Sequence, residues 1–210
     1  MNLLYLDASR DRLSIGCATA TQWVVRENIV GRHDAVLLNA LNSVCQEASI
    51  TLDTLEGVVV VNGPGSFTGL RIAVSAIHAL DAVNSCRALP VDQLSLLAAA
   101  SKRPTEAVLD ARMQDAYIGR SLGATGLYQE LAIVPLDSLN QGAGRICHRD
   151  DAERFPLAVS VTPSLETLRE LAARQPDSAW IPAQQLTPRY IRNTVSWKPL
   201  SEQPSKLYER

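Results

Sequence analysis

Little in this sequence supplies ready-made chemistry. Its four cysteines, Cys17, Cys45, Cys86 and Cys147, lie far apart and none forms a Cys-x-x-Cys pair, so zinc-ribbon and thioredoxin readings have no support. They read as reduced thiols in or near a core. The three histidines, His33, His78 and His148, are isolated from one another. Two imidazoles must sit one turn apart to share an ion on one helix face, and the position four after His33 is Leu37. Each histidine is therefore expected to have a surface or capping role. No Gly-x-Ser-x-Gly elbow is present, so nothing supports a serine nucleophile on such a turn.

Charge of one sign is also missing. The net charge is −2 over 210 residues and the pI is about 5.9. A chain that gripped an RNA backbone alone should show a basic surplus. No apolar run approaches the roughly 20 residues of a membrane span. The opening Met1-Asn2-Leu3-Leu4-Tyr5-Leu6-Asp7 lacks the basic start of a signal peptide. A cytoplasmic protein with no membrane partner is expected. With 46% hydrophobic and 20% charged residues, the chain can build a packed core.

A duplication is present. Leu6-Asp7-Ala8 recurs as Leu109-Asp110-Ala111. With that spacing kept, Ile15-Gly16 falls on Ile118-Gly119 and Glu27 on Glu130. Each half opens with an apolar strand ending at Asp. A second strand follows (Leu13 to Ala18; Ala116 to Leu122), then a third (Trp23 to Val30; Leu127 to Val134). Repeats of this kind take precedence over local reading.

The first half continues with a helix from His33 to Ala48, its stripe formed by Leu37, Leu41, Val44 and Ala48. Gly57 to Asn62 is an apolar run of the kind buried on both faces. Thr68 to Cys86 reads as a helix that is apolar almost all round. Pro90-Val91 forms a short strand, and Asp92 caps a helix from Gln93 to Ser101. In the second half, Gly142-Ala143-Gly144 marks a loop. Thr162 and Pro163 start a helix over Leu165 to Arg174. The order predicts an α/β fold of mixed sheets with packed helices. The halves divide at Lys102-Arg103-Pro104-Thr105, giving domains 1–103 and 104–197. The tail, 198–210, is expected to fray.

Between the buried strand and the apolar helix lies Gly63-Pro64-Gly65-Ser66-Phe67-Thr68-Gly69-Leu70-Arg71. Glycines permit close backbone approach, and a helix start offers free N–H groups. Ser66 and Thr68 can cap it, and Arg71 adds a cation. Two readings stand: a rigid turn, or an anion or nucleotide contact. The Gly-Lys-[Ser/Thr] ending of a Walker A loop is absent. Asp7 and Asp110 each end the first strand of a half. Asp7 with Ser9 is a candidate nucleotide-site remnant, or a turn-former. Asp110 and Arg112 can form a local ion pair with Tyr117 over it. Tyr190 and Arg192, beyond Pro188, either tie the C-terminal segment to the body or touch a partner.

The segment Gly63 to Arg71 closely resembles the glycine signature of the TsaB (YeaZ-type) family. Leu4 to Ser9, Arg32 to Leu38, Asp110 to Tyr117 and Pro188 to Arg192 resemble other motifs of that family, in order. The resemblance covers residues 1 to about 195 and implies a duplicated RNase H-like fold of the actin, hexokinase and Hsp70 class. It implies a non-catalytic subunit in tRNA threonylcarbamoyladenosine modification. Its partners would be a TsaD-like catalytic subunit, a TsaE-like ATPase and, alone, a second copy, with tRNA met only indirectly. No tightly bound cofactor is implied, and adenine nucleotide only in the assembled complex. Pairing would use the first-half helices, here assigned to His33, Leu37, Leu41, Val74, Ile77 and Asp81. Where the family has glycines after the signature this chain has Ala73 and Ala79, which spaces the contact face differently. The alternative function is a small-molecule kinase or ATPase of the same fold class, against which the shortness of each half argues. A homodimeric structural protein without RNA involvement is a third reading.

Overall fold

A computed structural model describes residues 1–101, 106–139 and 144–192. The first lobe contains β1 (Leu3–Asp7), β2 (Leu13–Ala18), β3 (Trp23–Ile29), α1 (His33–Glu47), β4 (Gly57–Val61), α2 (Phe67–Asn84), β5 (Arg87–Val91) and α3 (Gln93–Ser101). The second contains β6 (Ala107–Asp110), β7 (Asp115–Leu122), β8 (Tyr128–Pro135), β9 (Ile146–His148), β10 (Val159–Val161) and α4 (Leu165–Ala172). A two-residue strand, β11 (Ile181–Pro182), follows.

Pairing shows the duplication more clearly than identity does. The first sheet runs β11-β5-β4-β1-β2-β3 and the second β10-β9-β6-β7-β8. Without β11 the two orders are the same. In each, the first strand is antiparallel to the second and parallel to the fourth. β4, parallel on both sides, is Gly-Val-Val-Val-Val and buried at every position, as a two-sided strand must be.

The lobes differ in helices. α1 and α2 cover the first sheet through Leu37, Leu41, Val44, Val74 and Ile77. At the corresponding places in the second lobe, the described residues contain the short 3-10 turns Leu136–Leu139 and Arg149–Asp151. α3 and α4 follow the fifth strand of each sheet and are exchanged. α3 sends Leu94, Leu97 and Ala98 into the second lobe's cluster with Leu109 and Ile146. α4 sends Leu165, Leu168 and Leu171 onto Tyr5, Val59 and Val61 of the first. The core is thus continuous across the lobes.

Local chemistry sets the helix ends. Ser66 Oγ accepts from Gly69 N (3.2 Å) and starts α2 at Phe67. Ser85, left-handed at φ 50°, ends it at Asn84, short of Cys86. Asp92 accepts from Ser95 N (2.8 Å) and caps α3. The cap of α4 is Ser164, not Thr162: Ser164 Oγ accepts from Thr167 N (3.1 Å). Glu27 of β3 adds a carboxylate oxygen 2.6 Å from Leu165 N, favourable at a helix start. α4 ends at Ala172 rather than Arg174.

The expected boundary at 102–105, most of the Gly142–Gly144 loop and the tail lie outside the described residues. The division at 103/104 needs one correction. β11, Ala183 and Leu186 belong to the first lobe's sheet and core, because the β5 edge would otherwise be unpaired. No helix among the described residues is long and apolar enough to cross a membrane.

Candidate functional site

The signature loop joins β4 to α2 and packs directly on the turn after β1. Ser66 N donates to Ser9 O (2.7 Å), and Gly63 O accepts from Gln93 N (2.9 Å). A Cβ at Gly69 would penetrate the Ala8 carbonyl oxygen and lie 2.9 Å from His33 Nδ1. Absence of a side chain is what lets α1, α2 and β1 converge here. The Gly63-Pro64 peptide is cis. The N–H groups of Ser66, Gly69 and Leu70 are taken by acceptors within the chain, so these three donors serve the turn itself. Arg71 folds over Phe67 towards the C-terminal segment. Its guanidinium lies 3.8 Å from the Phe67 ring centroid, and its Nε donates to Tyr190 Oη (3.0 Å).

Asp7 and Ser9 come together. The Ser9 hydroxyl lies 2.6 Å from Asp7 Oδ1 and 3.0 Å from Gln93 Oε1, and Ser9 N donates to Asp7 Oδ1. Burial holds the Asp7 carboxyl above the usual carboxylate range, outweighing the Ser9 hydrogen bonds and the charges of His148 and Arg10. Ser9 reaches the inter-lobe cleft of about 730 Å³, which Gly65, Ser66, Asp110, Arg112 and Tyr117 also line.

Across the mouth of that cleft, Arg10 clasps Asp151 with two bonds of 3.1 and 2.9 Å and approaches Asp150 at 3.6 Å. Asp110 pairs with Arg112 (3.4 Å), as expected, and also with Arg154 (3.6 Å). The cleft's guanidiniums thus face carboxylates of the same chain. Burial, then Arg10, push the nearby His148 below the usual histidine range. His148 Nδ1 accepts from Asp150 N (3.1 Å), a capping role as expected.

The C-terminal segment is a strap. Thr187 O accepts from Asn62 Nδ2 (2.8 Å), Arg189 N donates to Asn62 O (3.1 Å), and Tyr190 meets Phe67 and Arg71. Arg192 then reaches the second lobe, at Asp115 (2.7 Å) and Ala111 O (3.3 Å). Tyr190 and Arg192 therefore tie this segment to the body.

The helix face requires a correction. Leu37, Leu41, Val74 and Ile77, the stripe assigned to a partner, are all buried in the first lobe. Ile77 is 0% exposed, so no partner can touch it. His33 is also buried, beneath the first turn of α2, with Nε2 lacking a partner among the described residues; its expected surface or capping role is corrected with them, since the start of α1 carries no side-chain cap bond. Asp81 is half-buried. The outward surface is the next stripe round. Between α1 and α2 runs a groove of about 540 Å³ lined by Leu38, Phe67, Arg71, Ile72 and Ala76 among others. Leu38 is 64% and Phe67 55% exposed.

The family model for TsaD, tRNA N6-adenosine threonylcarbamoyltransferase, matches residues 18–139. The chain belongs to that family. Within it, the chain is of the TsaB (YeaZ) type. It is 22% identical to the tRNA threonylcarbamoyladenosine biosynthesis protein TsaB of Haemophilus influenzae, over 95% of this chain and 97% of that one. It is 30% identical to the protein of the same name from Buchnera aphidicola subsp. Schizaphis graminum, over 46% of each. Among solved structures, YeaZ from Pseudomonas aeruginosa superposes with a TM-score of 0.73 at 26% identity, covering 90% of this chain and 99% of that one. The duplicated RNase H-like fold expected from the sequence is the fold of this group.

Sequence reading missed Arg10, Asp150, Asp151 and Arg154, because nothing along the chain signals a pairing across 141 positions. It also missed Leu38 and Phe67. Phe67 stands inside the signature, and its place between two flexible glycine-flanked polar residues was the available sign.

Proposed function

We propose that this chain is a non-catalytic, activating subunit in tRNA threonylcarbamoyladenosine biosynthesis. In this reading it supports transfer of threonylcarbamoyl from threonylcarbamoyl-AMP to the tRNA adenosine beside the anticodon. The observation that carries it is the α1/α2 groove on a chain alike over 95% of its length to a TsaB protein. Exposed Leu38 and Phe67 flank half-buried Ile72 and Ala76. An exposed apolar strip beside a helix pair is the expected mark of a partner site. A TsaD-like catalytic subunit is the partner, and a TsaE-like ATPase joins the assembly. Without them a second copy covers the groove. Tight nucleotide binding is not expected of the chain alone, since the cleft guanidiniums of Arg10, Arg112 and Arg154 already face carboxylates. Contact with tRNA is indirect, in keeping with the net charge of −2. The small-molecule kinase alternative is set aside, because the relatives carry the biosynthetic role.

Mixing the chain with its TsaD-like relative and sizing the product by light scattering tests this. A heteromeric complex is expected, with threonylcarbamoylation of tRNA only in the mixture. Failure of the two proteins to associate, or turnover by the isolated chain lost in Asp7→Ala, would overturn the scaffold reading.

A further inference from the structure

A further cavity, of about 310 Å³, lies apart from both cleft and groove. It sits at the C-terminal ends of β4 and β5, beside the strap, and Asn62, Val91, Asp92, Ile181, Leu186 and Arg189 line it. Carboxyl ends of parallel strands are where open α/β sheets place ligands. Three polar groups there are unusual for a structural pocket. Asn62 is 8% exposed and its Nδ2 is fixed on Thr187 O, yet its Oδ1 has no hydrogen-bond partner among the described residues. A buried acceptor left unpaired is costly and calls for a donor. Asp92 is 6% exposed. Its two oxygens each take one bond from Ser95, from N (2.8 Å) and Oγ (2.6 Å), which leaves further lone pairs on each. Arg189 stands exposed at the rim, close enough for its charge to act on Asp92. Pro90, Val91, Ile181 and Leu186 supply its apolar part, and Gln185 and Thr187 complete the lining.

Two buried acceptors, an exposed guanidinium and an apolar wall within one small cavity describe a zwitterion with a modest side chain. We propose that this cavity binds a small free α-amino acid. The ammonium donates to Asn62 Oδ1 and towards Asp92, the carboxylate accepts from the Arg189 guanidinium, and the side chain lies on half-buried Pro90 and Ile181. Asn62 is sealed beneath the strap, so entry displaces the Thr187–Arg189 stretch locally. Asn62 precedes Gly63, and Asp92 precedes Gln93, whose N–H holds Gly63 O. Occupancy therefore bears on the signature loop through Gly63, and through Arg189 on the strap whose Tyr190 meets Phe67 and Arg71.

The test is thermal denaturation and titration calorimetry of the purified full chain with a panel of L-amino acids. Their N-acetyl derivatives, their amides and ionic-strength-matched sodium chloride serve as controls. A saturable response to one or a few amino acids is expected. Loss of either charge, in the N-acetyl or amide form, should weaken it by about tenfold or more, the scale of one charge-assisted hydrogen bond. Arg189→Ala, at an exposed position that leaves the core intact, should weaken it by a similar factor, and Arg189→Lys should recover part of it. No saturable response across the panel would mean that a bridging water satisfies Asn62, and overturns the proposal. So would a response that N-acetyl forms reproduce or that Arg189→Ala retains.

Discussion

Asp7 ends the strand that both halves share, but its carboxyl faces inward onto Ser9 rather than out to a ligand. Burial raises its pKa, and the same cause raises that of Asp92. The native state therefore keeps protons that the unfolded chain has released. The stability these groups contribute is complete below the ordinary aspartate range and is lost as pH climbs through their folded values. Asp7→Asn should flatten the pH dependence of urea unfolding above about pH 4, by up to ~1.4 kcal/mol per pH unit. A slope unchanged by the substitution would show that Asp7 titrates normally. Gly69 offers a steric test. An alanine inside an exposed helix normally gains about 1 kcal/mol over glycine. Here the added methyl meets the Ala8 carbonyl and the His33 ring, and backbone cannot step aside cheaply. Gly69→Ala should therefore destabilise by about 1–3 kcal/mol, a reversal of sign that a denaturant melt reads directly. Neither environment was legible from the residues, since each depends on atoms far away along the chain.

Elements were more legible than their facings. The helix over Gln93 to Ser101 is where the sequence put it, because Asp92 marks its start and Lys102 and Pro104 follow its end. α2 was placed within two residues at each end, but its orientation was not. A helix apolar on nearly every side has no periodic signal that separates the face against its own sheet from the face left over. The stripe of Val74 and Ile77 belongs to the sheet; Phe67, Ile72 and Ala76 belong to the groove. A pair of substitutions separates the two. Ile77→Glu buries an uncompensated charge worth about 3–5 kcal/mol, a large share of the roughly 5–15 kcal/mol that holds a domain together, and should unfold much of the protein. Leu38→Glu lies on exposed surface, where substitutions change stability by about 0.5 kcal/mol or less, so circular dichroism should be unchanged. It should weaken self-association and partner binding by about tenfold or more, or ~1.4 kcal/mol. Should Leu38→Glu leave both assemblies intact, the groove is not the interface.

At the scale of the molecule, a handful of identities at fixed spacing stood for a duplication that strand pairing shows throughout. Register survives divergence because a one-residue slip would turn every core side chain to the wrong face. What pattern does not carry is how the two lobes hold one another. The exchange of α3 and α4 fixes them through apolar burial, and at the cleft mouth one ion pair adds a polar tie. Arg10 and Asp151 are 22% and 12% exposed at their side chains and meet in a two-bond fork, a geometry with more strength than a solvated surface pair. Its removal leaves Asp151 half-desolvated beside Asp150, with the 3.5 Å contact to Asp110 N as its remaining support. Arg10→Ala should therefore lower stability by about 1–3 kcal/mol, and the loss should be local before it is global. Amide hydrogen exchange should quicken at residues 148–155 and at the β1–β2 turn, while β4 and α2 keep their protection. Arg10→Ala combined with Asp151→Ala should be less destabilised than the sum of the two single changes, since the second removes the carboxylate stranded by the first. Strict additivity, or exchange that quickens evenly over both sheets, would mean that α3, α4 and the Arg192 strap hold the lobes without the fork.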